Sequence, residues 1–179
     1  QLRSIAKRAL DLYYQSKEML IIDGDFFENR LFQSQKGVFV EIGTDKETIS
    51  SLGNLYSDTN LLENISFVLF NVLQNMSDQN ITRLQNQELH LKIWIVDSHE
   101  KVNQFDTERF FDKLIIDRPG IIINENKENS FCFLPKIWDK VYDPAIVMSM
   151  LSKEARIDDD DWKDPQNTIT LFKSYPITI

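Results

Sequence analysis

The sequence predicts an α+β protein with a mixed, mainly antiparallel sheet flanked by helices. Apolar residues recur at helical spacing in some segments and alternate with polar ones in others. The strand-like segments are joined in places by short turns, and they do not alternate regularly with helices as a doubly wound sheet requires. The chain has 179 residues, of which 42% are hydrophobic, and this is enough to form a core without disulfides.

The first half of the chain contains the most regular patterns. Residues 3–18 carry apolar side chains at helical spacing and predict an amphipathic helix. Residues 37–42 are rich in β-branched and aromatic side chains and predict a buried strand. The clearest helix covers residues 61–76, and Thr59-Asn60 can cap it. Periodicity fades over residues 77–86, which are therefore predicted to be a surface connection or the edge of a lobe.

The second half is predicted to contain strands, a hairpin and a further helix. Residues 89–96 alternate and predict a strand that ends near Asp97. The remaining elements are a helix-like or irregular segment leading to residues 114–116, a hairpin over 121–134, a helix that starts at Asp143-Pro144 and runs to about Ala155, and a last strand over 168–172.

Composition bounds the compartment and the partners. The formal charge is −8 and the pI about 4.8, which argues against generic binding to nucleic acid, because such binding needs clustered Lys and Arg. The one cysteine, Cys132, fits a reducing compartment. No apolar stretch approaches the roughly 18 residues that a bilayer requires. We therefore expect an intracellular, cytoplasmic protein without membrane contact, with a nuclear location as the alternative if the source is eukaryotic.

Five short segments, taken together in this order, carry a resemblance to a known family. They are residues 36–42 (KGVFVEI), 120–123 (GIII), 133–135 (FLP), 142–143 (YD) and 162–164 (WKD). Their order and spacing resemble the AMMECR-one domain family, intracellular proteins whose molecular activity is unsettled. The resemblance therefore implies a fold but no reaction.

The resemblance extends from about Ala6 to Tyr175 and implies one domain, over residues 1–179, with two lobes. The larger lobe would hold both termini, and a smaller lobe would be inserted in the middle of the chain. The implied cleft lies between the two lobes.

The family's hallmark motif, Leu-Arg-Gly-Cys-Ile-Gly, is degenerate in this chain. Counting from the strand at 37–42 places residues 48–53 on it, so that Ile49 replaces the arginine, Ser51 replaces the cysteine and Gly53 is retained. A second family pattern, Leu-Cys-x-Lys-Ala-Gly, falls on residues 151–156 and places Ser152 on its thiol. By family position the cleft would be lined by Ile49, Ser50, Ser51, Gly53, Lys136 and Asp143.

Nucleophilic chemistry is poorly supported by the residues present. A serine hydroxyl attacks only when a base takes its proton, and nothing in the sequence places His90 or His99 near Ser51. Cys132 lies within a predicted strand, where a buried thiol is usually an apolar filler with a raised pKa. We therefore assign no catalytic residue.

No metal site or cofactor is expected. The chain has no paired Cys or His at ligand spacing and no glycine-rich phosphate loop. The acidic run 158–161 and the group Asp23, Asp25 and Glu28 lack the spacing of a calcium loop and are predicted to be solvated.

Three functions remain open. The favoured hypothesis is a non-enzymatic binding or scaffolding module that holds a protein partner or a small ligand in the cleft or on exposed aromatics. Phe67 and Phe70 would form an apolar patch if they were exposed beside Trp94. The alternative is a cleft enzyme with a polar site around Ser50 and Ser51, and the least favoured is a nucleic-acid-associated regulator.

Overall fold

The structure, a computed structural model, describes residues 2–22, 30–44 and 46–179. These residues form six α-helices and six β-strands. The helices are α1 (Leu2–Ser16), α2 (Arg30–Gln33), α3 (Leu61–Gln74), α4 (Asp78–Gln85), α5 (Thr107–Asp117) and α6 (Pro144–Glu154). The strands are β1 (Val38–Gly43), β2 (Thr48–Asn54), β3 (His90–Val102), β4 (Gly120–Ile123), β5 (Phe131–Phe133) and β6 (Ile169–Thr178).

The chain divides into two compact units, and the boundaries fall within β3 and within β6. Unit 1 comprises the chain up to Asp97 together with Tyr175–Ile179, and unit 2 comprises Ser98–Ser174. In unit 1, β1 pairs antiparallel with β2 on one side and with β3 on the other. In unit 2, β4 pairs antiparallel with both β5 and β6. The predicted α+β class with antiparallel strands is confirmed.

The core of unit 1 lies between its helices and one face of its strands. Val38, Val40 and Ile42 of β1 alternate along the strand and join this core, against which α3 packs. Phe39 and Glu41 lie on the opposite face of β1 and are also buried. Burial on both faces explains why the sequence of β1 is an almost continuous apolar run.

The position of α3 is fixed at its start by a side-chain cap. Asn60 Oδ1 accepts hydrogen bonds from the amides of Leu62 and Glu63, at 3.1 and 3.0 Å, and so satisfies two of the donors that a helix start leaves free. The predicted helix and its capping residue are confirmed.

Unit 2 has its own core, built around two tryptophans. The Trp162 ring lies against Phe110 and Phe111 of α5. Trp138 is buried, and its Nε1 donates a hydrogen bond of 2.7 Å to the Pro119 carbonyl, which satisfies the one polar group of that side chain. Asp143 caps α6 by accepting from the Ala145 amide at 2.8 Å, as the sequence predicted.

Several sequence-based boundaries were wrong. Residues 77–86 are not a plain connection: Ser77 caps α4, whose Ile81 and Leu84 are buried. Thr48–Asn54 forms β2, which alternation did not reveal because few of its residues are apolar. Strand β3 continues to Val102 and β6 to Thr178, since exposed polar residues can pair through their backbones without hydrophobic alternation. The segment after Phe105 is a regular helix, α5.

The condition for an aromatic patch around Trp94 is not met. Trp94 is buried, whereas Phe67 is 55% exposed and Phe70 is partly buried against the core of unit 1. Phe67 therefore contributes to the exposed apolar surface of α3 together with residues other than Trp94.

Candidate functional site

The hallmark positions lie on β2, the strand that pairs with β1. The register places Ser50 opposite Ile42, Ser51 opposite Glu41 and Gly53 opposite Phe39. The pairing then shifts, because Gly43 stands opposite Thr48, and Ile49 is the extra residue of this bulge.

The bulge separates the arginine position from the cysteine position. Ile49 is partly buried and packs against the core of unit 1, whereas Ser51 is exposed. In a regular strand, residues two apart share one face of the sheet. Because the bulge interrupts that alternation, the residue in the arginine position belongs to the core and does not flank Ser51.

Ser51 has a carboxylate opposite it but no bound base. Glu41 is only 3% exposed, and directly opposite residues in an antiparallel pair have Cβ atoms about 4.5–5.5 Å apart. Among the residues that the structure describes, none forms a hydrogen bond with Ser51 Oγ. A nucleophilic serine requires a proton acceptor within hydrogen-bond reach, and the described residues do not supply one in this conformation.

A glycine is needed at position 53 because a side chain would not fit there, and not because the backbone adopts a conformation that favours glycine. A Cβ built on Gly53 would overlap the Phe39 ring and the Val38 carbonyl. No described glycine has a positive φ angle. The retained glycine of the hallmark is therefore explained by the packing of β2 against the aromatic side chain of β1.

The two other cleft-lining candidates lie in unit 2. Lys136 is half-buried in the 3-10 turn Pro135–Asp139. Asp143 is exposed, and its carboxylate caps α6. Asp143 thus has a structural role in addition to the position that the family resemblance gives it.

The remaining sequence candidates that the structure describes are accounted for by their surroundings. Asp23, Asp25 and Glu28 lie outside the described residues. The acidic run at 158–161 is exposed, and Asp160 forms an ion pair of 2.5 Å with Lys163. Within the part of the chain that the structure describes, no group of His, Cys, Asp and Glu could hold a metal ion. Burial raises the pKa of the Cys132 thiol far above its usual range, so that the reactive thiolate is disfavoured.

Unit 2 also contains a charged cluster on α5 and its neighbours. Lys113 lies 2.9 Å from Glu100 and 3.5 Å from Asp117, and Asp117 lies 3.2 Å from Lys173. The hydrogen bond from Lys173 is the main cause that holds the pKa of Asp117 below its usual value, and the bond to Glu100 raises the pKa of Lys113. Each charge has an opposite partner, which is typical of a surface ion-pair network.

The most distinctive surface feature of unit 1 is a groove beside α3, named here the α3 groove. It has a volume of about 540 Å³. Its lining comprises Met19, Leu20, Ile21, Ile22, Asn54, Tyr56, Ser57, Asp58, Thr59, Glu63, Asn64 and Phe67. It therefore combines the segment after α1, the end of β2 with the loop that follows, and the first two turns of α3.

The α3 groove exposes large apolar side chains. Ile21 is 77% exposed, Tyr56 56% and Phe67 55%. Apolar side chains scattered singly on a surface are ordinary, but several that line one concavity mark an interaction surface.

Buried hydrogen bonds hold the walls of this groove. Asn54 and Asn64 exchange two side-chain hydrogen bonds of 2.9 Å, and Asn64 Nδ2 also donates to the Lys36 carbonyl at 2.9 Å. Ser66 Oγ, which is buried, donates to the Leu20 carbonyl at 2.5 Å and ties the segment after α1 to α3. The lining is thus positioned by the fold and does not require a ligand to assemble it.

Phe67 could be picked out from the sequence, but the groove could not. The exposed Tyr56 comes three residues after Gly53, and Ile21 lies in a short segment without periodicity. The one available signal was Phe67, an aromatic residue flanking the apolar stripe of the strongest helix.

The fold defines an α+β protein of two compact units, the first of which carries an apolar groove beside α3. The chain belongs to the AMMECR1 family, whose sequence profile matches residues 3–177. The resemblance to the AMMECR-one domain family is therefore confirmed.

Comparison with solved structures supports the fold. The crystal structure of the uncharacterized protein PH0010 from Pyrococcus horikoshii is similar, with a TM-score of 0.79 and 18% sequence identity. The match covers 99% of this chain and 89% of the archaeal one. Among curated proteins, none matches the sequence significantly. None of the helices in the described ranges is both long and apolar enough to cross a bilayer.

Proposed function

We propose that this chain is a non-enzymatic binding module that holds a segment of a protein partner in the α3 groove. The observation that carries this proposal is the exposure of large apolar side chains along one concave surface of unit 1. Such side chains can lose their contact with water when a partner covers them, and this supplies the main driving force of association.

A protein segment fits this groove better than a small ligand does. Pockets for small molecules generally enclose most of the ligand surface. In the α3 groove, Ile21 and Phe67 both project into solvent for more than half of their surface, which favours an occupant that lies across them. Exposed aromatic side chains are also frequent among the residues that dominate protein interfaces.

The enzymatic alternative rests on one observation, the position of Glu41 opposite Ser51. It is opposed by the absence of a hydrogen bond between Ser51 Oγ and any described residue, and by the bulge that takes Ile49 into the core. Nucleic-acid association is the least favoured, because the formal charge of −8 repels phosphates.

The proposal is tested by selecting peptides from a random phage-displayed library on the immobilised full chain. Selected peptides are synthesised, and their dissociation constants are measured for wild type, Phe67→Ser and Ile116→Ser. Ile116 provides a matched control, since it is 79% exposed on α5 of unit 2.

We expect Phe67→Ser to weaken peptide binding at least about tenfold, as removal of a central aromatic contact typically does. The Ile116→Ser variant should bind as the wild type does. Ser51→Ala should leave binding unchanged, because Ser51 does not line the groove. Selection of no peptide, or of peptides that tolerate Phe67→Ser, would contradict the proposal.

A further inference from the structure

The α3 groove has an acidic character in addition to its apolar one. Its described lining includes two carboxylates, Asp58 and Glu63, but no Lys or Arg. Neither carboxylate forms an ion pair with a described residue. The groove is therefore suited to a cation that the chain itself does not provide in the described conformation.

Glu63 and Phe67 form the centre of this arrangement. They are four residues apart on α3, so their Cβ atoms lie about 5–6 Å from each other on one face of the helix. Glu63 is half-buried and Phe67 is exposed. A side chain that reaches the carboxylate of Glu63 from the groove therefore passes beside the ring of Phe67.

Glu63 is stable without a partner because of its place in the helix. It occupies the third position of α3, where its amide bonds to the Asn60 cap and where the free amide groups of a helix start favour a negative charge. A carboxylate can thus be kept at the groove wall without an internal cation.

We infer that the partner segment held in the α3 groove carries an arginine beside a large apolar side chain. The arginine would bind Glu63, its planar guanidinium would stack on Phe67, and the adjacent apolar side chain would cover Ile21 or Tyr56. Arginine suits this site better than lysine does, because its planar group can bind a carboxylate and stack on an aromatic ring together. This inference rests on the function proposed above and specifies the chemistry of the occupant.

A second copy of this chain is a weaker candidate for the occupant. The formal charge of −8 makes two copies repel each other, whereas a basic segment is attracted to the groove carboxylates. Self-association through the groove would appear as a dimer that Phe67→Ser converts to a monomer in sedimentation experiments, and this result would overturn the inference.

The experiment sequences the peptides selected on the full chain and titrates the best binder against charge variants. The variants are Glu63→Gln and Asp58→Asn, which keep side-chain size while removing charge. Glu108→Gln is the matched control, because Glu108 lies in the first turn of α5, outside the groove. A synthetic form of the best binder with its arginine replaced by lysine, and a second with citrulline, test the cation itself.

We expect arginine next to Leu, Ile or Phe to be enriched among the selected peptides. Glu63→Gln should weaken binding about threefold to tenfold, citrulline should do the same, and lysine should bind between arginine and citrulline. Raising the salt concentration from about 0.1 M to about 1 M shortens the screening length from about 10 Å to about 3 Å. The wild type should therefore lose affinity over this range more steeply than Glu63→Gln does.

The two ideas fail in different ways. Peptides that require Phe67 but lack arginine, and that bind Glu63→Gln and wild type alike, would overturn the inference and leave the proposed function intact. Peptides that bind irrespective of Phe67 would overturn both. A loss of affinity with Glu108→Gln equal to that with Glu63→Gln would show general charge attraction and would also overturn the inference.

Discussion

The hydrogen-bonded side chains of Asn54 and Asn64, which lie at the α3 groove, are expected to contribute strongly to the stability of unit 1. Asn64 is 1% exposed and takes part in three side-chain hydrogen bonds, two with Asn54 and one with the Lys36 carbonyl. Asn54 Oδ1 also accepts from the Val38 amide at 3.2 Å. The pair thus connects α3 to both β1 and β2.

Replacement of Asn64 by Ala removes these three hydrogen bonds. It leaves the Lys36 carbonyl and one donor of Asn54 without their partners, and each buried group abandoned in this way costs about 1–3 kcal/mol. Asn54 is half-buried and recovers part of its loss from water. We expect a decrease of about 3 kcal/mol in the free energy of unfolding, or roughly 6–12 °C in the midpoint for a chain of this length.

The assay is urea unfolding followed by tryptophan fluorescence and far-ultraviolet circular dichroism. Asn71→Ala is the control on the same helix. Among the described residues the Asn71 side chain bonds only to the Phe67 carbonyl of its own helix, so its loss should change stability by no more than about 0.5 kcal/mol. A double-mutant cycle of Asn54→Ala and Asn64→Ala should give a coupling energy of at least about 1 kcal/mol. A cost below about 1 kcal/mol for Asn64→Ala, or no coupling, would refute this reasoning.

Three further predictions concern single side chains. Ser152 is fully buried in α6, and its Oγ has no hydrogen-bond partner among the described residues, so Ser152→Ala should stabilise the protein by about 1 kcal/mol in thermal unfolding. Ser149→Ala, which loses a 3.2 Å hydrogen bond to a loop aspartate, should not stabilise it. Cys132 should react with a thiol reagent far more slowly in the folded protein than in urea, because burial raises its pKa; equal rates would contradict this. Burial, with a smaller contribution from Asp11, raises the pKa of Tyr14 to about 12. Because the unfolded chain releases this phenolic proton at a lower pH than the folded protein does, the free energy of unfolding should fall as the pH rises from about 10 to 12. If the free energy of unfolding of Tyr14→Phe fell equally steeply over this range, Tyr14 would be excluded as the cause.

The elements that could be predicted are those that bury one face and expose the other. Helix α3 shows this best, since its apolar spacing and its Asn60 cap are both visible in the sequence. Strand β2 and helix α4 were missed for a common reason. Each contributes few apolar residues. Strand β2 is held by backbone pairing with β1 and helix α4 begins at a side-chain cap, and neither interaction produces a hydrophobic pattern in the sequence.

The candidate site could be predicted only in part. The assignment of residues 48–53 to a cleft stays a prediction, and the carboxylate opposite Ser51 became visible only with the register of β1 and β2. The α3 groove joins segments that are far apart in the chain, as Ile21 and Phe67 illustrate. Side chains that are brought together by tertiary packing share no periodic spacing in the sequence, so the pattern of any single segment could not have predicted that they meet.

The three hallmark positions that the resemblance assigns to β2 have different structural surroundings. Gly53 has no tolerable replacement, because any Cβ would overlap the Phe39 ring, and this requirement holds whether or not a reaction takes place nearby. Ile49, in the arginine position, packs against the core at the bulge, and the side-chain Oγ of Ser51, in the cysteine position, forms no hydrogen bond with a described residue. The proposed binding module does not depend on these two positions, because its interaction surface, the α3 groove, is formed by the end of β2 together with the loop that follows, the segment after α1 and the start of α3.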